Sequence, residues 1–458
     1  MTESLLHVIP GIEPPLDPGF RPAALGRSRY REAMGKAGTR VLIGLEREGG
    51  LCARHELEIS PACDADTLKY VERTVKFLLW SRGGWRIHIS GPRAVGEHIQ
   101  RSYAPEGFDA GHMAKVYERS LEVLLVEPEA VPEEKNASSR AGGHLDGCRI
   151  GFDLGASDYK VAAVKDGEAV YSNEFPWNPR DESDPNYHYR HIQSGLKKAA
   201  EHLPRVDAIG GSSAGVYIDN RPMAASLFRS IPPEKFEQAV KPMFIRIGRE
   251  WGVPLRIIND GDVTALAGTL SLKENALLGV AMGSSEAAGY MDTEGRITGW
   301  LNELAFCPVD YNEDAVPDEW SGDVGVGSMY FSQQAVNRLL PASGIEVPVE
   351  MGLPERLVEV QHLMTRGDER ACRIFETIGI YLGYAVPCYA EFYDMKNLLI
   401  LGRVTSGEGG SVILARAAEV LDREFPSLEV ALHVPDEKSK RVGQAVAAAS
   451  LPEIGNTC

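Results

Sequence analysis

Two stretches of this chain write the same order of elements, and that repetition limits the folds open to it. Strand CRIGFDLGAS and strand DYKVAAVKDG read as a β-hairpin, followed by strand EAVYSNEFPW, a helix from about His188 to Leu203 and strand VDAIGGSS. A long amphipathic helix, EKFEQAVKPMFIRIGREWG, leads to strand LRIIND and helix GDVTALAGTLS. The pattern then restarts with strands ALLGVAMGSS, EAAGYMDTEG and RITGW. Helices dominate from there to strand NLLILGRV and a C-terminal α/β unit. Hairpin, strand, helix, strand, written twice, predicts two α/β lobes with mixed sheets.

The segment VEPEAVPEEKNASSRAGGHLDG combines prolines, charges and small residues and reads as a linker, with a boundary near Leu145. Three parts follow: an N-terminal module over 1–145, a first lobe over 146–268 and a second over 269–458. In the module, the first forty residues are rich in proline, glycine and arginine and show no periodicity. They read as an extended arm lying on the surface of another body. Next come a hairpin across Gly49-Gly50 and a helix over Asp66–Trp80, with Leu68, Val71, Val75, Leu78 and Leu79 at helical spacing. Strand WRIHIS and a helix from about Ala110 to Leu125 complete it. The parallel of IGLEREGG with IGFDLGAS makes the module a candidate degenerate duplicate of the first lobe. An unrelated module with the order β-β-α-β would look the same.

Charge narrows the partners. Lys and Arg number 48 against 65 Asp and Glu, a net charge of -17. Nucleic acid and anionic membrane surfaces need a dense positive field, so neither is an expected partner. At 43% apolar residues the chain can build a real core. No run reaches the roughly 18 consecutive apolar residues of a membrane span. The N-terminus lacks a basic stretch followed by a long apolar one, and the seven cysteines include no C-x-x-C. The expectation is a cytoplasmic protein with reduced thiols.

Four short segments could carry chemistry. Asp153-Leu154-Gly155-Ala156-Ser157 sets a carboxylate beside small residues at a hairpin turn, where a hydrated metal and phosphate oxygens could be held. Asn259-Asp260-Gly261-Asp262 joins a strand to a helix, at the carboxyl end of a strand where α/β folds place ligands. A carboxylate there can take a proton from a hydroxyl attacking phosphate. Turn formation and helix N-capping are the plainer roles for these residues. The small-residue hairpin Gly283–Gly289 and the turn Gly402-Arg403-Val404 are the other two. His188 and His191, one helical turn apart, have no third ligand at metal spacing and read as exposed helix residues.

In that order these segments resemble the superfamily of sugar kinases and actin, and within it the ROK family (repressors, open reading frames and sugar kinases), from about Cys148 to the C-terminus. IGFDLGASDYKVAAV resembles its first phosphate loop, INDGDVTALAG its Asn-Asp catalytic segment, and LLGVAMGSSEAAGYMDTEGRITGW its second phosphate loop. LNELAF resembles its Glu-x-Gly-His segment, and FETIGIYLGYAVPCYAEFYDMKNLLILGRV its adenosine site. The resemblance implies an α/β, two-lobed actin-like ATPase (ribonuclease H-like) fold with an additional N-terminal α/β module. It also implies ATP- and magnesium-dependent phosphorylation of a sugar or amino sugar, of the glucokinase or N-acetylhexosamine kinase type, by a homodimer.

On that reading Asp260 is the general base, and Asn259, Glu303 and Ser213 meet the sugar. Asp153, Gly155 and Ser157 face the β- and γ-phosphates, with Asp153 on magnesium. Gly283 and Ser284 face the same phosphates from the second lobe, Gly402 meets the adenosine, and lobe closure excludes water.

Several residues depart from the family pattern. GSSEAAG replaces a glycine-rich loop, and Glu286 brings a carboxylate toward the nucleotide's anionic tail. Phe306 stands at the histidine position and no Cys-x-Cys-Gly-x-x-Gly-Cys run follows, so no structural zinc is expected. Ser328 falls where a later sugar-contacting glutamate belongs. These departures support a second reading, a catalytically weak or inactive sugar-sensing or scaffolding protein of the same fold. A DNA-binding repressor is disfavoured, because the extension has no helix-turn-helix pattern and no basic stripe.

Overall fold

The computed structural model describes residues 4–35, 38–136, 142–435 and 437–455, the side chains of 437–442 excepted. The chain divides into two units. One comprises Met1–Ala137, Ala281–Ala287 and Gly299–Val434; the other comprises Ser138–Val280, Ala288–Thr298 and Pro435–Cys458. Among the described residues no helix is long and apolar enough to cross a membrane.

In the second unit the run Cys148–Leu154 is buried on both faces, as a central strand requires. It pairs antiparallel with Asp158–Lys165, which pairs in turn with the mostly exposed edge strand Glu168–Pro176. On its other side lie Ala208–Ser213 and then Leu255–Asn259, both parallel to it. Ile150 and Phe152 meet Ile192 and Leu196 of helix Pro185–Ala200, and Phe244 and Ile247 of helix Met243–Trp251, in one apolar core. The C-terminal helix Glu437–Ala449 lies directly on this sheet. Gly151 and Gly210 make room for it, since a Cβ at either would overlap the carbonyl oxygen of Ala445 or Ala448. Arg149 is fully buried and donates to the carbonyl and carboxylate of Asp146 and to the carbonyls of Ala449 and Pro452. It thereby ties the first strand to the end of the chain.

Three expectations change in this unit. The long helix is broken into Pro233–Lys235, a π-helical turn Phe236–Val240 and Met243–Trp251, because Pro242 has no N–H to continue the ladder. RITGW forms no strand beyond a single bridge from Ile297 to Met291. His188 is buried, with its Nε2 3.0 Å from the carbonyl oxygens of Pro179 and Leu227.

In the first unit, strands Thr39–Glu46 and Cys52–Ile59 form the expected hairpin, and helix Ala65–Arg82 follows. The Asp64 carboxylate caps this helix by accepting the Thr67 N–H at 2.9 Å. Asp64→Ala should lower stability by about 1 kcal/mol, read as a small fall in melting temperature with no change of fold. The sheet order is Cys52–Ile59, Thr39–Glu46, Arg86–Ser90, Glu122–Leu125.

Here the duplicate-lobe idea fails. Arg86–Ser90 runs antiparallel to Thr39–Glu46, whereas Ala208–Ser213 runs parallel to Cys148–Leu154. Two strands precede the helix in the module and three in the lobe, so the returning strand points the opposite way relative to the first. The expected helix to Leu125 stops at Tyr117, where Glu118 turns left-handed (φ 54°), and Glu122–Leu125 pairs as a parallel edge strand.

The N-terminal arm is also corrected. It lies on its own unit and contains helix Ala23–Met34. Leu6, Phe20 and Tyr30 are buried, and the Phe20 ring packs 4.7 Å from that of Tyr381. The Ile12 N–H donates to the Tyr384 hydroxyl at 3.1 Å, and Arg27 pairs with Glu391 at 2.6 Å. Helices Gln333–Ser343, Leu353–Thr365, Glu369–Ala390 and Glu408–Glu424 complete the unit with the parallel strand pair Asn397–Leu401 and Ala431–His433.

Candidate active site

In the second unit the parallel register sets Asp153 beside Ser212, Leu154 beside Ser213, and Ser213 beside Asn259. Four of the expected site residues thus gather at the carboxyl ends of three neighbouring strands, the ligand-binding edge of α/β sheets. Asp153 is buried and accepts a 2.6 Å hydrogen bond from the Ser212 hydroxyl. Burial is the main cause that raises its pKa, against the pull of Ser212 and Lys160. Asp260 opens helix Asp260–Leu272 and accepts from the Gly261 N–H at 3.0 Å. Burial, and then the charge of Asp153, push its carboxyl from 3.8 up to about 6.

Asn259 is the N-cap of that helix. Its side-chain oxygen accepts from the Gly261 N–H at 2.6 Å and its amide donates to the Gly215 carbonyl at 2.8 Å. One lone pair and one N–H of the amide remain beyond these bonds. Ser213 is fully buried and accepts from the Tyr217 hydroxyl at 2.7 Å. Tyr217 feels the charge of Asp260, which, after burial, raises its pKa. Ser157 is exposed at the hairpin turn and donates to Asp158. The Gly155 N–H closes the same turn on the Asp158 carbonyl at 3.0 Å.

In the first unit, the Gly283 N–H likewise closes its own turn, on the Ser285 carbonyl at 3.0 Å, while Ser284 is exposed. Gly402 has φ 104°, and a Cβ there would lie 2.5 Å from the Met282 carbonyl oxygen, so close backbone approach already requires glycine. Glu303 opens a short 3-10 turn, Leu304–Phe306, and its N–H is held by the Trp80 carbonyl at 3.0 Å. Phe306 packs into an aromatic group, 4.2 Å from the Trp80 ring and 5.4 Å from that of Phe108. Ser328 is buried and donates to Asp318 at 2.8 Å.

Glu286 behaves differently from a surface carboxylate. It is 3% exposed, its Oε1 accepts from the Tyr389 hydroxyl at 3.3 Å, and its Oε2 has no partner among the described residues. Burial, with the nearby charge of Glu303 adding to it, pushes its pKa from 4.5 to about 8. At neutral pH it is therefore largely protonated, and the expected anionic clash with a nucleotide weakens.

Sequence reasoning missed Ser212, Tyr217 and Tyr389. Ser212 and Tyr389 act through a cross-strand and a long-range contact that no local pattern announces, and Tyr217 reaches back only four residues to Ser213.

A three-strand meander continued by two parallel strands, with carboxylates at the strand ends, defines the ribonuclease H-like lobe of actin-like ATPases. No protein-family model and no curated protein matches the chain. Solved structures do. A ROK family glucokinase from Streptomyces griseus, in complex with glucose and AMPPNP, matches with a TM-score of 0.52 at 16% identity, covering 66% of this chain and 98% of that one. A ROK hexokinase from Thermus thermophilus matches with a TM-score of 0.51 at 17% identity, covering 66% and 97%. A ROK family transcriptional regulator, homologue of the E. coli MLC protein, gives 0.50 at 16%, covering 67% and 79%. This chain shares the fold of ROK family sugar kinases.

Proposed function

We propose that the chain transfers the terminal phosphoryl group of ATP to a hydroxyl of a sugar or amino sugar. The pair Asp153 and Asp260 carries this reading: two carboxyls at the carboxyl ends of strands that flank Ala208–Ser213, the second raised by burial and then by the charge of the first. Two carboxyls whose like charges act on each other suit a divalent cation beside them. Asp153, with one oxygen engaged by Ser212, is the group that would hold magnesium, which when bound neutralises phosphate charge.

The chain's own residues do the rest. Asp260 takes the proton of the sugar hydroxyl as its oxygen bonds to the terminal phosphorus of ATP. The phosphorus–oxygen bond to ADP breaks, leaving a sugar phosphate, ADP and a protonated Asp260 that returns its proton to water. Asn259 and Ser213 orient the sugar. Because the Gly155 and Gly283 amides are spent on their own turns, the exposed Ser157 and Ser284 are the better phosphate contacts.

The same spent amides, with Ser285, Ala287 and Ala288 in place of glycine, favour the second reading, a sugar sensor without turnover. A thermal-shift titration with Mg-ATP, then a coupled ADP-release screen over hexoses and N-acetylhexosamines, separates the two. Sugar-dependent ADP release is the expected result. Stabilisation by sugar with neither a Mg-ATP shift nor ADP overturns the kinase reading and leaves the sensor.

A further inference from the structure

Helix Ala65–Arg82 lines a cavity of about 680 Å³ that lies wholly within the first unit and holds none of the residues assigned to catalysis. Lys69, Arg73 and Lys76 share one face of the helix, spaced to project into the cavity together. Each is already bound to carboxylates on the same walls. Lys69 meets Glu313 at 2.7 Å, Arg73 meets Glu72 at 2.5 Å and Asp323 at 2.9 Å, and Lys76 meets Asp323 at 2.7 Å and Asp109 at 3.0 Å. Trp80 fixes Asp109 by a 2.8 Å bond from its indole N–H. Asp310 completes the acidic set, held by the backbone N–H groups of Arg21 and Asn312, each at 2.8 Å.

We infer that this cavity is a second saccharide site, for a neutral polyhydroxylated ligand bound away from the phosphoryl-transfer residues. Five carboxylates face three cations on its walls, so an anion is repelled. An apolar ligand would offer no partner to the ionic groups that line the walls. A hydroxyl group is both donor and acceptor, and it can bridge a carboxylate and an ammonium or guanidinium group without adding charge. Sugar rings also need an apolar surface for their C–H faces, and Leu68, Phe108 and Val324 supply it on the same walls. The volume falls in the usual range for small-molecule sites, roughly 300–1,000 Å³.

The test uses the full chain and counts binding by calorimetry, with glucose, N-acetylglucosamine, maltose and sucrose as separate probes. Ser102 is an exposed wall residue whose hydroxyl bonds only to its own helix, at the His98 carbonyl, so Ser102→Trp can fill the cavity without touching the ion network. For at least one probe the wild type should bind one more equivalent than Ser102→Trp, or bind it about tenfold more tightly or better. Ser102→Ala should match the wild type. Asp260→Asn should leave the difference between wild type and Ser102→Trp unchanged. If the kinase reading fails, both proteins lose the same equivalent and the difference survives. Equal binding of all four sugars by wild type and Ser102→Trp, no binding of any, or binding of spermidine, titrated as a cationic probe, that Ser102→Trp loses while sugar binding is the same in both overturns the inference.

Discussion

Asp260→Asn should abolish sugar-dependent ADP release, by about 10²- to 10⁴-fold in kcat, while the KM for the sugar and the melting profile change little. The amide has the shape of the carboxylate and its oxygen can still accept the Gly261 N–H at the start of helix Asp260–Leu272, so the fold has no reason to move. It cannot accept the proton of an attacking hydroxyl. It also removes a carboxyl whose charge is opposed by burial and by Asp153, so folding stability should hold or rise slightly. Asp153→Asn is expected to behave otherwise: it should raise the magnesium concentration needed for half-maximal turnover, because a neutral amide is a poor ligand for that ion. Turnover that survives in Asp260→Asn refutes the assigned base. Turnover absent from the wild type, with sugar binding intact, moves the protein to the sensor reading.

The strands were legible because alternation and β-branched content are local. CRIGFDLGAS, DYKVAAVKDG, LRIIND and NLLILGRV all fall where the pattern puts them. Helix Ala65–Arg82 was legible for the same reason, from apolar residues at a period of 3.6. The N-terminal forty residues were not, because Leu6, Phe20 and Tyr30 are isolated apolar residues whose burial is decided by partners such as Tyr381, far along the chain. Strand direction in the module was hidden too. Order alone does not show which earlier strand the returning one pairs with. In the candidate site, the position of Asp153 and Asp260 at strand ends could be read from hairpin and helix-start signals. Their shared environment could not, since it depends on the register that sets Ser212 against Asp153. The same holds for Glu286, which looked like a charge on a loop and is a buried carboxyl facing Tyr389.

That carboxyl yields the clearest expectation for stability against pH. Glu286 has a folded pKa of about 8 against an ordinary value of 4.5, with burial as the first cause. The folded chain therefore binds a proton that the unfolded chain releases throughout this window. Stability from the group is fully present below about 4.5, falls as pH rises toward 8, and is flat above it. Glu286→Gln carries no such proton, and its amide can still accept from the Tyr389 hydroxyl while offering a donor where Oε2 lacks a partner. The variant should be close to wild type in stability near pH 4.5 and increasingly more stable as pH rises. At about 1.4 kcal/mol for each pH unit, the difference reaches roughly 4–5 kcal/mol at most by pH 8. The measurement is the unfolding midpoint of both proteins from pH 4.5 to 9.5. A difference that stays flat across that range places the proton elsewhere, and a variant less stable at every pH means that the ionised carboxylate, not the neutral acid, is what the hairpin holds.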